Sequence, residues 1–357
     1  MQETIFKIDK KKIGKNYPTF FIADIGANHD GNLQKAIELI NLAAESGADA
    51  VKFQHFKAET IVSDYGFKNL GKQQSHQKKW KKSVFEVYKD ASINLEWTQK
   101  LKKESGKAGV TFFTSPYSLE IVDYVDKFIP AYKIGSGDIT YLDIIKKIAK
   151  KKKPYILATG ASSLKDVKRA VSAGIKINKN IALMQCNTNY TASKDNFRYI
   201  HLKVLEKFKK LFPKIILGLS DHTPGHATVL GAVSLGGRLI EKHFTDDNDR
   251  NGPDHPFSMN PKTWREMIDR TRELELSLGS DTKKIEKNEK ETVILQRRSI
   301  RAKKNINLNE KFNKNNMICL RPAPRNAIEP FEIKKLIGKK ARRAIKAGDI
   351  IRWQDVS

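Results

Sequence analysis

From residue 20 onward, short apolar runs alternate with amphipathic stretches, and no other feature restricts the fold as strongly. The runs are FFIADIG (20–26), AVKFQ (50–54), TFFTS (111–115), AYKIGSG (131–137), YILATG (155–160), IALMQCN (181–187), IILGLSD (215–221) and LIEKHFT (239–245). Each is close to continuous in apolar residues, as a strand covered on both faces requires. Helical patterns separate them. In NLQKAIELINLAAESG (32–47), Ala36, Leu39, Ile40 and Ala43 share one helical face and Gly47 supplies the stop. Similar stretches occupy 95–106 and 163–174, and another (261–279) follows the last run. A strand–helix unit repeated eight times predicts an α/β protein built on a (β/α)8 TIM barrel. An open doubly wound sheet is the competing solution, but no run leads into a G-x-G-x-x-G loop.

The rhythm bounds the domains. The barrel is expected over 1–280, with 1–17 as an N-terminal extension and the long segment after Gln54, including 65–82, as an inserted loop over the barrel mouth. The stretch DTKKIEKNEKETVILQR (281–297) is charged, loses the rhythm and reads as a linker. Beyond it, 298–357 carries a weak internal repeat. NINLNEKFNKNNM (305–317) aligns with AIKAGDIIRWQDV (344–356), matching Ile306 to Ile345, Asn309 to Gly348, Glu310 to Asp349 and Phe312 to Ile351. Asn and Gly are the residues that most readily adopt a left-handed turn, so the match has a physical basis. This tail is expected to be a small, irregular, β-rich domain, marginal in isolation.

An apolar share of 39% supports a globular core despite a net charge of +27. The lysines are scattered through helix-like and linker stretches rather than interleaved with aromatics. A solvated surface is therefore expected, not a nucleic-acid groove. No apolar run is long enough for a membrane span, and the lysines near the amino terminus precede no apolar leader core. The two cysteines, Cys186 and Cys319, are far apart, which suggests reduced thiols in a cytoplasmic protein.

In a TIM barrel the active site forms where the strands end. Those ends carry Asp24, Lys52, Gln54, Thr114, Lys133, Ser136, Asp138, Thr159, Asn187, Tyr190, Ser220, His222 and His243. Lys52 and Lys133 lie inside apolar strands, where a lone ammonium is costly and an anionic partner is needed. Either could belong to a structural ion pair. Two together point to a phosphate or carboxylate ligand, which the Gly-Ser-Gly of KIGSGD would let approach closely. His222 and His243 close neighbouring strands and can converge on one divalent ion, leaving positions for water and substrate. The plainer alternative is two hydrogen-bonded core histidines. Without paired cysteines or H-E-x-x-H, a structural zinc site is not expected.

The motifs FIADIGANHDG, GADAVKFQ, AYKIGSGD, GLSDHT, EKHFT and GPDH, in this order, resemble the sialic acid (N-acetylneuraminate) synthases. KAGDIIRWQDV resembles their C-terminal antifreeze-like SAF domain, and the likeness spans nearly the whole chain. It implies condensation of phosphoenolpyruvate with the aldehyde of an N-acetylated amino sugar, giving a nine-carbon 2-keto acid and phosphate. On the family's pattern, Lys52, Lys133, Ser136 and Ser220 would hold phosphoenolpyruvate. His222 and His243 would bind Mn²⁺ or Mg²⁺, and Asp24 would orient the water beside it. Tyr190 and Asp254 would contact the sugar, with Gln54, Thr114, Asp138, Thr159 and Asn187 as further substrate-binding candidates. Arg321, in CLRPAP, would reach the partner subunit's barrel in a domain-swapped homodimer. Asp24 stands where the family usually has Glu, Ala158 where a serine is frequent, and CNTNYTAS (186–193) lacks a frequent proline. Asp246, Asp247, Asp249 and Arg250 are expected to shape a loop. Two alternatives remain open: a phosphoenolpyruvate-dependent aldol synthase acting on a sugar phosphate, and a non-catalytic sugar- or anion-binding relative.

Overall fold

In the computed structural model, which describes residues 4–71, 77 and 80–357, the apolar runs form one closed parallel barrel. A hairpin, β1 (Phe6–Ile8) and β2 (Lys11–Ile13), precedes it and buries Phe6, Ile8 and Ile13 in the barrel's core cluster. The extension expected over 1–17 is thus folded where described. The barrel strands are β3 (Phe20–Asp24), β4 (Ala50–His55), β5 (Thr111–Pro116), β6 (Tyr132–Ile134), β7 (Tyr155–Ala158), β8 (Ile181–Cys186), β9 (Ile216–Asp221) and β10 (Leu239–His243). Each pairs in parallel with its sequence neighbours, and β10 closes on β3. An open sheet is excluded by that closure.

Helices cover the strands as the periodicity requires. Leu33–Glu45 buries Ala36, Leu39, Ile40 and Ala43, the four residues its spacing selects, and Asn32 caps it by accepting from the Lys35 amide. Ser163 and Asn260 start Leu164–Ile175 and Pro261–Leu278 with reciprocal capping boxes. The insertion after β4 contains the helices Ala58–Ile61 and Asp64–Asn69, and Val84–Ala91 follows it. Of the segment expected to overhang the mouth, 72–76 and 78–79 lie outside the described residues. Among the described residues, no helix is long and apolar enough to cross a membrane.

Contacts divide the chain into two units, Met1–Gly279 and Ser280–Ser357. The second has its own core, including Ile300, Ile306, Phe312, Leu336, Ile345 and Ile351. It opens with an exposed helix, Lys290–Gln296, and contains an antiparallel pair, β11 (Ser299–Ala302) and β12 (Met317–Leu320). The internal repeat is visible in the backbone. Ile306 bridges Ile345, Asn309 and Gly348 both have positive φ (65° and 88°), and Phe312 and Ile351 are both buried.

Candidate active site

Barrel register assembles the site. Pairing β10 with β3 sets His243 opposite Asp24, β3 with β4 sets Asp24 opposite Lys52, and β8 with β9 sets Cys186 opposite Ser220. Alternation along β10 turns Glu241 and His243 to one side and Lys242 to the other. Glu241 and His243 border a cavity of about 390 Å³ at the strand ends; Lys242 does not.

Asp24 is the most connected group there. One carboxylate oxygen accepts from Lys52 Nζ at 2.6 Å and Gln54 Nε2 at 3.0 Å, and the other from the Gly26 amide at 3.0 Å. Burial opposes its ionisation, but Lys52 and His243 outweigh that cost and bring the pKa down to about 2. Lys133 Nζ lies 2.7 Å from Glu241 Oε1, which also accepts from Ser220 at 3.2 Å and stands 3.8 Å from Lys52. The other Glu241 carboxylate oxygen is buried with no hydrogen-bond partner among the described residues. The strand lysines therefore find their counter-charges inside the protein, in Asp24 and Glu241.

The imidazoles stand side by side, ring centroids 5.4 Å apart. His222 Nδ1 lies 2.8 Å from the Asn187 carbonyl oxygen, which can only accept, so Nδ1 carries the proton and the Nε2 lone pair is exposed. Burial, reinforced by His243, lowers the His222 pKa to about 4 and keeps the ring neutral near pH 7. His243 lies between carboxylates, with Nε2 3.5 Å from Asp24 and Nδ1 3.3 Å from Asp254. Burial works against its protonation, but Asp24 and Asp254 raise its pKa overall. Gly26 makes this crowding possible. Its φ is +52°, and a Cβ there would stand 2.7 Å from Asp254 Oδ2 and 3.0 Å from His243 Nδ1.

A divalent ion fits this donor set. Lys52 and Lys133 are paired with Asp24 and Glu241, and Asp254, whose pKa is lowered by His243 against the effect of burial, adds a third carboxylate beside the imidazoles. Two neighbouring imidazoles flanked by carboxylates are donor types that suit a divalent cation. Among the described residues no three His, Cys, Asp or Glu side chains form a ready cage, so the imidazoles would leave open positions.

The cavity also brings together Gln54, Ser136, Asp138, Tyr190, Ser220 and Asp254, all expected at the site. Tyr190 packs against His222 at 4.4 Å between ring centroids. Thr114, Thr159 and Asn187 are placed elsewhere. Thr114 bonds to His55 and the Phe53 carbonyl, Thr159 to the Met184 carbonyl, and the Asn187 amide to the Tyr199 carbonyl. They serve the walls, and none borders the cavity. Arg321 is exposed and belongs to the second unit. Asp246 pairs with Lys35 and Arg250, while the Asp247 carboxylate accepts from the Asp249 amide; both interactions shape the loop.

Sequence reasoning missed Glu241, Ser115, Tyr117, Cys186 and the apolar residues that overhang the mouth. Glu241 was recoverable, since it sits two residues before His243 and shares its face. Of the overhanging residues, Ile61, Val87, Tyr88 and Ala91 come from helices with no strand-end signal, and Phe56 from the loop just past β4.

Comparison with known proteins gives a consistent result. A profile of the NeuB family matches residues 39–283, and an SAF domain profile matches 297–357. The N,N'-diacetyllegionaminic acid synthase of Campylobacter jejuni is 36% identical, over 94% of this chain and 99% of that protein. The pseudaminic acid synthase of the same species is 33% identical, over 99% of each. The crystal structure of the N-acetylneuraminic acid synthetase of Leptospira borgpetersenii, in complex with citrate, has a TM-score of 0.70 at 26% identity, covering 82% of this chain and 95% of that one. With both profiles in the expected order and relatives matched nearly end to end, the chain belongs to the NeuB family, as a parallel eight-stranded barrel followed by an SAF domain.

Proposed function

We propose that this protein is a nonulosonic acid synthase, condensing phosphoenolpyruvate with the aldehyde of an N-acetylated amino sugar and releasing phosphate. The observation that carries the reading is the convergence, in one cavity, of two strand lysines, two adjacent imidazoles and a carboxylate held ionised. Carbon 3 of phosphoenolpyruvate bonds to the aldehyde carbon, whose oxygen becomes a hydroxyl. Water adds at carbon 2, and the bond from carbon 2 to the phosphate oxygen breaks, leaving a 2-keto acid and phosphate.

Lys52 and Lys133 hold the carboxylate and phosphate, helped by the hydroxyls of Ser136 and Ser220. Asp24, fixed by Lys52, Gln54 and the Gly26 amide, orients the water, whose proton is balanced by the one the aldehyde oxygen gains. Tyr190 and Asp254 position the sugar. His222 and His243 would hold Mn²⁺ or Mg²⁺, which when bound supplies Lewis acidity toward the aldehyde. The SAF domain completes the site through Arg321 in a homodimer with exchanged tails. A small core with a charged tether supports docking on a second barrel.

The test is phosphate release. It should require both substrates, stop on chelation with EDTA and return with Mn²⁺. In His243→Ala the metal should fail to restore it. Full turnover by chelator-treated protein would contradict the metal assignment, and release without an amino sugar would contradict the condensation.

A further inference from the structure

The barrel has two unlike ends. Strands of a closed parallel barrel all start at one end, so the turns that lead into them gather opposite the mouth. Three neighbouring turns there are rich in lysine. They join the helix Leu142–Lys150 to β7, Leu164–Ile175 to β8, and Val204–Leu211 to β9. With the last turns of their helices they hold Lys150, Lys176, Lys179, Lys209, Lys210 and Lys214, all exposed. Among the described residues, none of the six is in an ion pair. The carboxylates that precede the first turn, Asp123 and Asp126, are taken by Lys147, Lys151 and Lys153 instead. At the mouth end, the turns 159–163, 187–193 and 222–226 that follow the same strands hold no lysine, arginine, aspartate or glutamate. Lysines scattered along the chain are thus gathered by the fold at one end.

Packed helices stand about 8–10 Å apart. That is close to the screening length of about 8 Å at physiological ionic strength, so the three turns act as one positive field. Helix C-termini favour Lys150, Lys176, Lys209 and Lys210, but Lys179 and Lys214 lie beyond the helices, and all six repel one another. An anionic partner relieves that repulsion. The turns 151–154, 176–180 and 212–215 contain no arginine and no exposed aromatic residue, so they lack the forks and stacking platforms that nucleic-acid binding uses. Point charges spread over one end of a barrel suit a fluid anionic sheet, which offers charge without a pattern to read. We propose that this end docks on an anionic phospholipid surface and leaves the mouth turned to solution. No large exposed hydrophobic residue stands in these turns, so the attachment is electrostatic, reversible and weakened by salt.

The experiment is vesicle co-sedimentation with the full-length protein. Vesicles of phosphatidylcholine are compared with vesicles of phosphatidylcholine and phosphatidylglycerol in equal parts, at low and at high salt. Binding should require the anionic lipid and fall as salt rises. Glutamine at all six positions should weaken it at least about 100-fold, since each lysine near an anionic surface is worth about fivefold. A control carries glutamine at Lys283, Lys284, Lys287, Lys290, Lys303 and Lys304, equally exposed lysines outside the barrel unit, and should bind nearly as the parent does. It has the same net charge as the test variant, so it separates this end of the barrel from the charge of the whole chain. Urea unfolding checks that both variants fold. Should the six-site variant unfold, glutamine at Lys176, Lys179 and Lys214 alone repeats the test, with a loss of at least about tenfold, against a control at Lys283, Lys284 and Lys287. No binding to the anionic vesicles, equal binding to phosphatidylcholine, or an equal loss in the control would overturn the inference. So would tighter binding of a DNA duplex than of the anionic vesicles.

Discussion

Asp138 shows how one residue can be set by its surroundings. It borders the cavity, and burial raises its pKa from 3.8 to about 6. Between those values the folded protein binds a proton that the unfolded chain has lost, so this group's contribution to stability falls as pH rises and is lowest above about pH 6. Asp138→Asn should therefore gain stability relative to the parent at pH 7 and gain less at pH 4. Urea unfolding midpoints at the two pH values check this, and an equal gain at both would contradict it. At this scale the sequence was legible where chemistry and position coincide. His222, His243, Lys52 and Lys133 are unusual residues at strand ends. It was less legible where only the direction of a side chain decides. Thr114, Thr159 and Asn187 are at strand ends too, but their side chains turn to partners in the wall.

Between elements, the junction of β9 and β10 carries the imidazoles on its inner side and a buried ion pair on its outer side. Lys242 donates to Asp221, and both are almost fully buried, at 1% and 2% exposure. The Asp221 carboxylate also accepts from the hydroxyls of Thr223 and Thr228, the latter on the helix Ala227–Ser234. The pair thus ties two strands and a helix directly behind His222 and His243. Removing one partner strands a buried charge, so Lys242→Met should cost about 3–5 kcal/mol in urea unfolding. Adding Asp221→Asn to Lys242→Met should recover part of that loss, and strict additivity of the two substitutions would contradict the coupling. Strand positions were readable because apolar runs on a parallel sheet are continuous. This ion pair was not, since the rhythm places Lys242 and Asp221 in strands but assigns them no partner. The N-terminal hairpin escaped for a similar reason, because its three-residue strands are too short to show a period.

For the whole molecule, the order of barrel and SAF domain was legible from motif order and from the tail's internal repeat, whose matched Ile306 and Ile345 bridge directly. How tails and barrels combine is a property of the assembly, and no single-chain pattern encodes it. With exchanged tails, mixing inactive His243→Ala protein with inactive Arg321→Ala protein should restore part of the activity after subunit exchange. A swapped dimer then pairs an intact barrel with an intact tail. No restoration, or full activity from a monomer, would contradict the exchange. The central claim is carbon–carbon bond formation, and it has a direct measurement. Phosphoenolpyruvate labelled with carbon-13 at carbon 3 is incubated with the Mn²⁺-loaded protein and an N-acetylated amino sugar, and the product is read by NMR and mass spectrometry. The account predicts the label in a methylene between a keto-acid carbon and a carbinol carbon, with one phosphate released per product. Labelled pyruvate with the sugar recovered unchanged would contradict it.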